Sequence, residues 1–142
     1  LSVIPSGLSL VTGVLDKKFG FWSLEKEKRD IFIRRLYGAL IELLKRFHDD
    51  WTTGKIDKNK VMIVHFDRMM SDFDGLMNDI VHFIDIEPSQ KLIDNIKVTA
   101  DKQRNFKSKH KYDLSKFGLT EQQIKDDCQI IYETFLSDNA VN

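Results

Sequence analysis

Ile33, Leu36, Tyr37, Leu40, Leu44, Phe47 and Trp51 recur at steps of three and four residues. That spacing puts side chains on one face of an α-helix. The opposite face carries Arg34, Arg35, Glu42, Lys45, Arg46 and Asp49, so a long amphipathic helix is expected here, one side solvated and the other on a core. Ser23 is placed to cap it, and Glu25 and Glu27 stand in the first turn, where the positive end of the helix dipole favours carboxylates. Gly38 costs about 1 kcal/mol in a helix interior and is expected to mark a close helix crossing. One such helix cannot bury its own stripe. The rest of the chain must cover it.

Residues 8–19 form a short apolar-rich segment that reads as a helix, weakened by Gly13 and broken by Gly20. After the turn Thr52-Thr53-Gly54, residues 55–60 make a polar connector. Val61-Met62-Ile63-Val64-His65-Phe66 is a continuous apolar run rich in β-branched residues. Such a run predicts a strand buried on both faces, as in a parallel sheet. An isolated strand is not stable, and few other strand candidates exist, so further chain is expected around it. Ser71 or Asp72 starts the next helix, with Phe73, Leu76, Ile80, Phe83 and Ile84 on one face. Ser89 caps a short helix carrying Leu92, Ile93 and Ile96. Residues 99–118 show no period. Thr120-Glu121-Gln122-Gln123 is a capping box that opens a last helix through Ile124, Cys128, Ile131, Tyr132 and Phe135.

Lys plus Arg number 22, as do Asp plus Glu, which leaves no net charge. This excludes global attraction to nucleic acid or anionic lipid, so any polyanion site must be local. A single cysteine, Cys128, excludes an intramolecular disulfide and a thiolate metal cluster. It suits a reducing cytoplasm and, on an apolar helix face, reads as core filler. No apolar run approaches a membrane span.

The strongest local feature is the stretch from Lys102 to Lys111, with five formal positive charges in ten residues and no carboxylate between Asp101 and Asp113. Lysine ammonium groups and an arginine fork suit phosphate oxygens. A solvated loop whose lysines touch nothing is the plain alternative. His48, His65, His82 and His110 lack metal-ligand spacing, so no metal site is expected; His110 either donates to an anion or plays a structural role. Asp126 and Asp127 read as solvent-facing. No nucleophile elbow and no Gly-rich phosphate loop is present, and the chain shows no complete catalytic constellation.

Two segments, in this order, carry a resemblance. The run from Val61 through Phe66, Asp67, Arg68, Met69 and Met70, then Asp72 and the helix ending Phe83-Ile84-Asp85-Ile86, resembles the buried strand, Tyr-Glu-Asp-Leu, Asp-Pro and helix of sulfotransferases. Phe66, Asp67, Arg68 and Met69 stand where that family usually has Tyr, Glu, Asp and Leu. Lys109-His110-Lys111-Tyr112-Asp113-Leu114-Ser115-Lys116-Phe117-Gly118-Leu119-Thr120 resembles the His-Arg-Tyr-Ser-Leu-Glu-Asp-Phe-Gly-Leu ending of bacterial sulfotransferases. The likeness covers roughly residues 23–136.

The resemblance implies an α/β fold: the C-terminal part of a P-loop-like sulfotransferase domain, predominantly helical in this chain with one or two strands. Residues 1–142 would form a single truncated domain without the N-terminal donor-loop half. The parent enzyme would transfer a sulfuryl group from 3'-phosphoadenosine 5'-phosphosulfate to a hydroxyl or amine of a small molecule, glycan or peptide. By the same resemblance Arg104, Lys107, Lys109, His110 and Lys111 would lie at the cofactor's 3'-phosphate. No catalytic residue is recognisable, so the chain alone is expected to be inactive. A cytoplasmic protein is expected, with no metal, nucleic acid or membrane span, and a homodimer would bury apolar surface left uncovered. The rival reading is a non-enzymatic helical interaction module with a basic binding loop.

Overall fold

The computed structural model describes residues 3–104 and 112–137. The described residues are helical, with no strand among them. They fall into two compact units, Leu1–Lys55 with His110–Asn142, and Ile56–Lys109.

The first unit is built on α1 (Val3–Phe19) and α2 (Lys26–Thr52). Pro5 sits in the first turn of α1, where a missing N–H costs nothing, and Gly20, at a φ of 65°, ends the helix. Ile4, Leu8 and Thr12 of α1 and Ile33, Tyr37 and Ile41 of α2 are buried; Ile33 and Tyr37 belong to the three-and-four spacing, Ile41 lies beside it, and Phe47 of that spacing is exposed. The close crossing falls at Gly7, where a Cβ would lie 3.1 Å from Leu40 Cδ1; Gly38 faces open space. Ser23 does not cap α2. It lies in a 3-10 turn with its hydroxyl donating to the Gly20 carbonyl, and the residue before α2 is Glu25, whose side chain makes no cap. Two short helices, α6 (Glu121–Asp127) and α7 (Gln129–Phe135), complete the unit and meet at the buried Cys128. Phe135 packs against Phe47, tilted, and Trp51, edge to face, at the C-terminal end of α2, with centroids 5.4 and 5.9 Å away.

The second unit holds α3 (Phe66–Ser71), α4 (Phe73–Phe83) and α5 (Gln90–Arg104). The Asp72 carboxylate caps α4 by accepting from the Gly75 amide at 3.1 Å. Ser89 caps α5 through the Leu92 amide at 3.3 Å. Arg68 of α3 pairs with Asp79 and Asp72 across the turn, which raises its pKa through the hydrogen bond to Asp79 first.

Two further expectations are overturned. No strand forms at 61–66, and the all-helical architecture overturns the α/β P-loop-like assignment. Val61 and His65 do have extended dihedrals, so the β-branched run dictates local backbone shape. A strand, however, exists only through a ladder of hydrogen bonds to a neighbour, and the described residues supply none. Phe66 instead opens α3. The second correction concerns residues 99–104, where α5 runs on to Arg104.

Candidate functional site

The cationic stretch follows α5 in sequence. Arg104, the last residue of α5, is described; Lys107, Lys109, His110 and Lys111 lie outside the described residues. The Arg104 guanidinium is held between two carboxylates, donating from Nη1 to Asp74 Oδ2 at 2.8 Å and from Nη2 to Asp101. These partners, Asp101 first, raise its pKa. An incoming phosphate must compete with both for the same fork. Asp101 was legible as a partner from its three-residue spacing to Arg104. Asp74, thirty positions away, was not.

Beside that pair, within the same unit, a groove of about 480 Å³ opens between α4 and α5. Val81, Pro88, Ile93 and Ile96 line it, with Asp74, Asn78, Lys97, Asp101 and Arg104 also on its walls.

The residues that follow the stretch form a fixed anchor in the first unit. The Asp113 carboxylate accepts from the Ser115 amide at 3.0 Å and from the Ser115 hydroxyl at 2.5 Å. The hydroxyl bond first, then backbone amides and Lys116, hold its pKa down, so Asp113 stays ionised. A 3-10 turn, Leu114–Phe117, follows and buries Phe117. The Phe117 ring lies 6.1 Å from Trp22, and Lys116 Nζ sits 4.1 Å from the Trp22 ring centroid, a cation–π distance. Gly118 takes a φ of 67°, and the Thr120 hydroxyl caps α6 by accepting from the Gln123 amide at 3.1 Å. Residues that carry the sequence resemblance thus serve local structure here. Asp113 and Thr120 cap, Phe117 fills the core, and Gly118 makes the left-handed turn.

Gly118 gives a clean test of that anchor. A Cβ there would meet nothing within 4 Å, so Gly118→Ala introduces only left-handed backbone strain. We expect a loss of about 1 kcal/mol in denaturant unfolding; unchanged stability would show that the turn does not hold its left-handed conformation.

Next to the anchor, a cleft of about 330 Å³ is lined by Pro5, Tyr112, Leu114, Glu121, Ile124, Lys125 and Tyr132. Burial, chiefly, raises the pKa of Tyr132. His48 bonds Thr134 Oγ1 at 3.0 Å and Asp49 at 3.2 Å. Among the described residues no three of His, Cys, Asp and Glu come together as a metal would require. Asp127, expected at the surface, instead accepts a hydrogen bond from the Tyr37 hydroxyl. Among the described residues, no helix is long and apolar enough to cross a membrane.

No protein-family model matches this chain. Neither a curated protein nor a solved structure is significantly similar to it.

Proposed function

We propose that this chain binds the phosphates of an adenosine nucleotide through the cationic stretch from Lys102 to Lys111, as the 3'-phosphate-binding portion of a sulfotransferase. The nucleotide is 3'-phosphoadenosine 5'-phosphosulfate as sulfuryl donor, and the acceptor is a hydroxyl or amine. One observation carries the reading: five cations and no carboxylate in ten residues of a chain without net charge. Phosphate oxygens are the chemistry that such a cluster recognises. The Asp113–Thr120 anchor, which carries part of the sequence resemblance, follows the cluster directly along the chain. Lys107, Lys109, His110 and Lys111 are the proposed contacts. Arg104 contributes only if a phosphate displaces Asp74 or Asp101.

Sulfuryl transfer needs donors placed on charge developing at the leaving phosphate, and a base for the acceptor. The sequence contains no donor loop and no identifiable base. The purified chain is therefore expected to bind without transferring sulfate. Radiolabelled sulfate appearing on an acceptor would contradict that part of the reading.

Titration with adenosine 3',5'-bisphosphate tests the binding. Weak binding is expected that fades as salt is raised and weakens about tenfold in Lys109→Glu and in Lys111→Glu. Equal binding by both variants would remove these lysines from the site. The all-helical architecture favours a second reading, an interaction module without enzymatic ancestry whose basic stretch meets acidic protein. On that reading an acidic peptide of matched charge binds as tightly as the nucleotide; on the first it binds much more weakly.

A further inference from the structure

Val3, Gly7, Leu10, Val14 and Lys17 follow one another along α1 at alternating steps of four and three residues, and Leu36, Leu40, Leu43, Phe47 and Asp50 do the same along α2. That is the spacing of a helix-pairing seam. The two rows meet where Gly7 touches Leu40. At about 100° per residue, Ile4, Leu8 and Thr12 lie on the core side of Gly7, and Val3, Leu10 and Val14 lie on its solvent side. On α2, Tyr37 and Ile41 lie on the core side of Leu40, and Leu36 and Leu43 lie on its solvent side. Both outer rows therefore belong to one surface. It is open: Val3 is 49% exposed, Leu10 68%, Val14 54%, Leu43 65% and Phe47 39%. Single exposed apolar residues are ordinary, but a continuous strip of this kind marks an interface.

We infer that this strip pairs with the same strip of a second copy of the chain, two-fold and antiparallel, to form a four-helix seam. Charge selects this occupant. Helices joined by a short turn and packed along their length run antiparallel, so the strip has two different ends. Lys17 continues the α1 row at one end, and no carboxylate partners it among the described residues. Arg29 stands near the same end over the Trp22 ring, with Nε buried and without a hydrogen-bond partner. Asp50 continues the α2 row at the other end, held among the described residues only by the exposed Lys55 at 2.9 Å, a contact of little strength. A two-fold antiparallel arrangement brings the Asp50 end of each copy against the Lys17 end of the other. It also sets the negative C-terminal end of one α2 against the positive N-terminal end of the other. The strip is about 21 Å long and two helices wide, a footprint of the order that stable pairs bury, roughly 800 Å² per partner. This inference does not depend on the nucleotide reading.

Sedimentation equilibrium and light scattering on the full chain test it. A dimer is expected. Leu10→Glu with Leu43→Glu, both at exposed positions, should raise the dissociation constant about 100-fold or more, since each charge enters the seam twice. The helical circular dichroism of the monomer should be retained. Lys17→Glu should weaken the dimer, and adding Asp50→Lys should restore it. A chain that stays monomeric at about 0.5 mM, or a dimer indifferent to the double glutamate variant, overturns the proposal. So does a charge swap that fails to rescue Lys17→Glu.

Discussion

Truncating Phe135 to alanine is expected to lower the stability of the first unit by about 3–5 kcal/mol. Phe135 is buried on α7, and its ring meets Phe47, Trp51 and the edge of His48. It is the aromatic plug that fixes a helix of seven residues to the end of a long one. A helix of that length has no stability of its own, so its order derives from this docking. Removing the ring deletes transferred apolar area and leaves a cavity that the flanking rings cannot fully close. Small domains are stable by only about 5–15 kcal/mol in total, and a large share would go. Urea unfolding monitored by the fluorescence of Trp22 and Trp51, both in the first unit, measures the loss, with Phe135→Leu expected to recover part of it. A change below about 1 kcal/mol would mean that α7 is not docked through this ring.

The same aromatic cluster shows what the sequence could convey. Phe47 and Trp51 fall on the predicted face of α2, and Phe135 on the predicted face of the last helix, because burial of one helical face writes itself into three- and four-residue spacing. Three local caps are equally readable, since Asp72, Ser89 and Thr120 each accept from an amide close ahead, whereas Ser23 does not cap α2. Failures cluster where the deciding partner is remote or polar. The run from Val61 to Phe66 encodes extended backbone but not a neighbour to pair with. Asp101, Lys102, Gln103 and Arg104 carry no apolar signal, yet they remain helical beside the buried Ala100, helped by the pair of Asp101 with Arg104. For the candidate site, the concentration of cations was legible in full. Of the two carboxylates that occupy Arg104, Asp74 was not, since it comes from α4. Gly7, not Gly38, takes the helix crossing for a similar reason: which face of a glycine meets another helix depends on packing that no local pattern records.

Replacing Tyr37 by phenylalanine tests the other long-range link of the first unit. The Tyr37 hydroxyl donates to Asp127 Oδ2 at 2.5 Å and ties the middle of α2 to the end of α6. A hydrogen bond from a buried group to a charged acceptor contributes about 1.5–3 kcal/mol, which is the loss expected at neutral pH. The pH dependence separates this bond from simple packing. Burial first, then the bond to Asp127 and its charge, raises the Tyr37 pKa well above the ordinary value for tyrosine. In the unfolded chain the phenol ionises near its usual value of about 10. Stability from the neutral phenol is therefore complete below about pH 10 and is lost as the pH climbs toward the raised folded value. Tyr132 and Cys128, both raised mainly by burial, lose stability in the alkaline range too, and they do so equally in the wild type and the variant. The wild type alone carries the Tyr37 contribution, so its advantage over Tyr37→Phe should shrink by up to about 1.4 kcal/mol per pH unit above pH 10. An advantage that stays constant from pH 8 to the alkaline limit would mean that Tyr37 ionises freely in the folded chain and that the bond to Asp127 does not form.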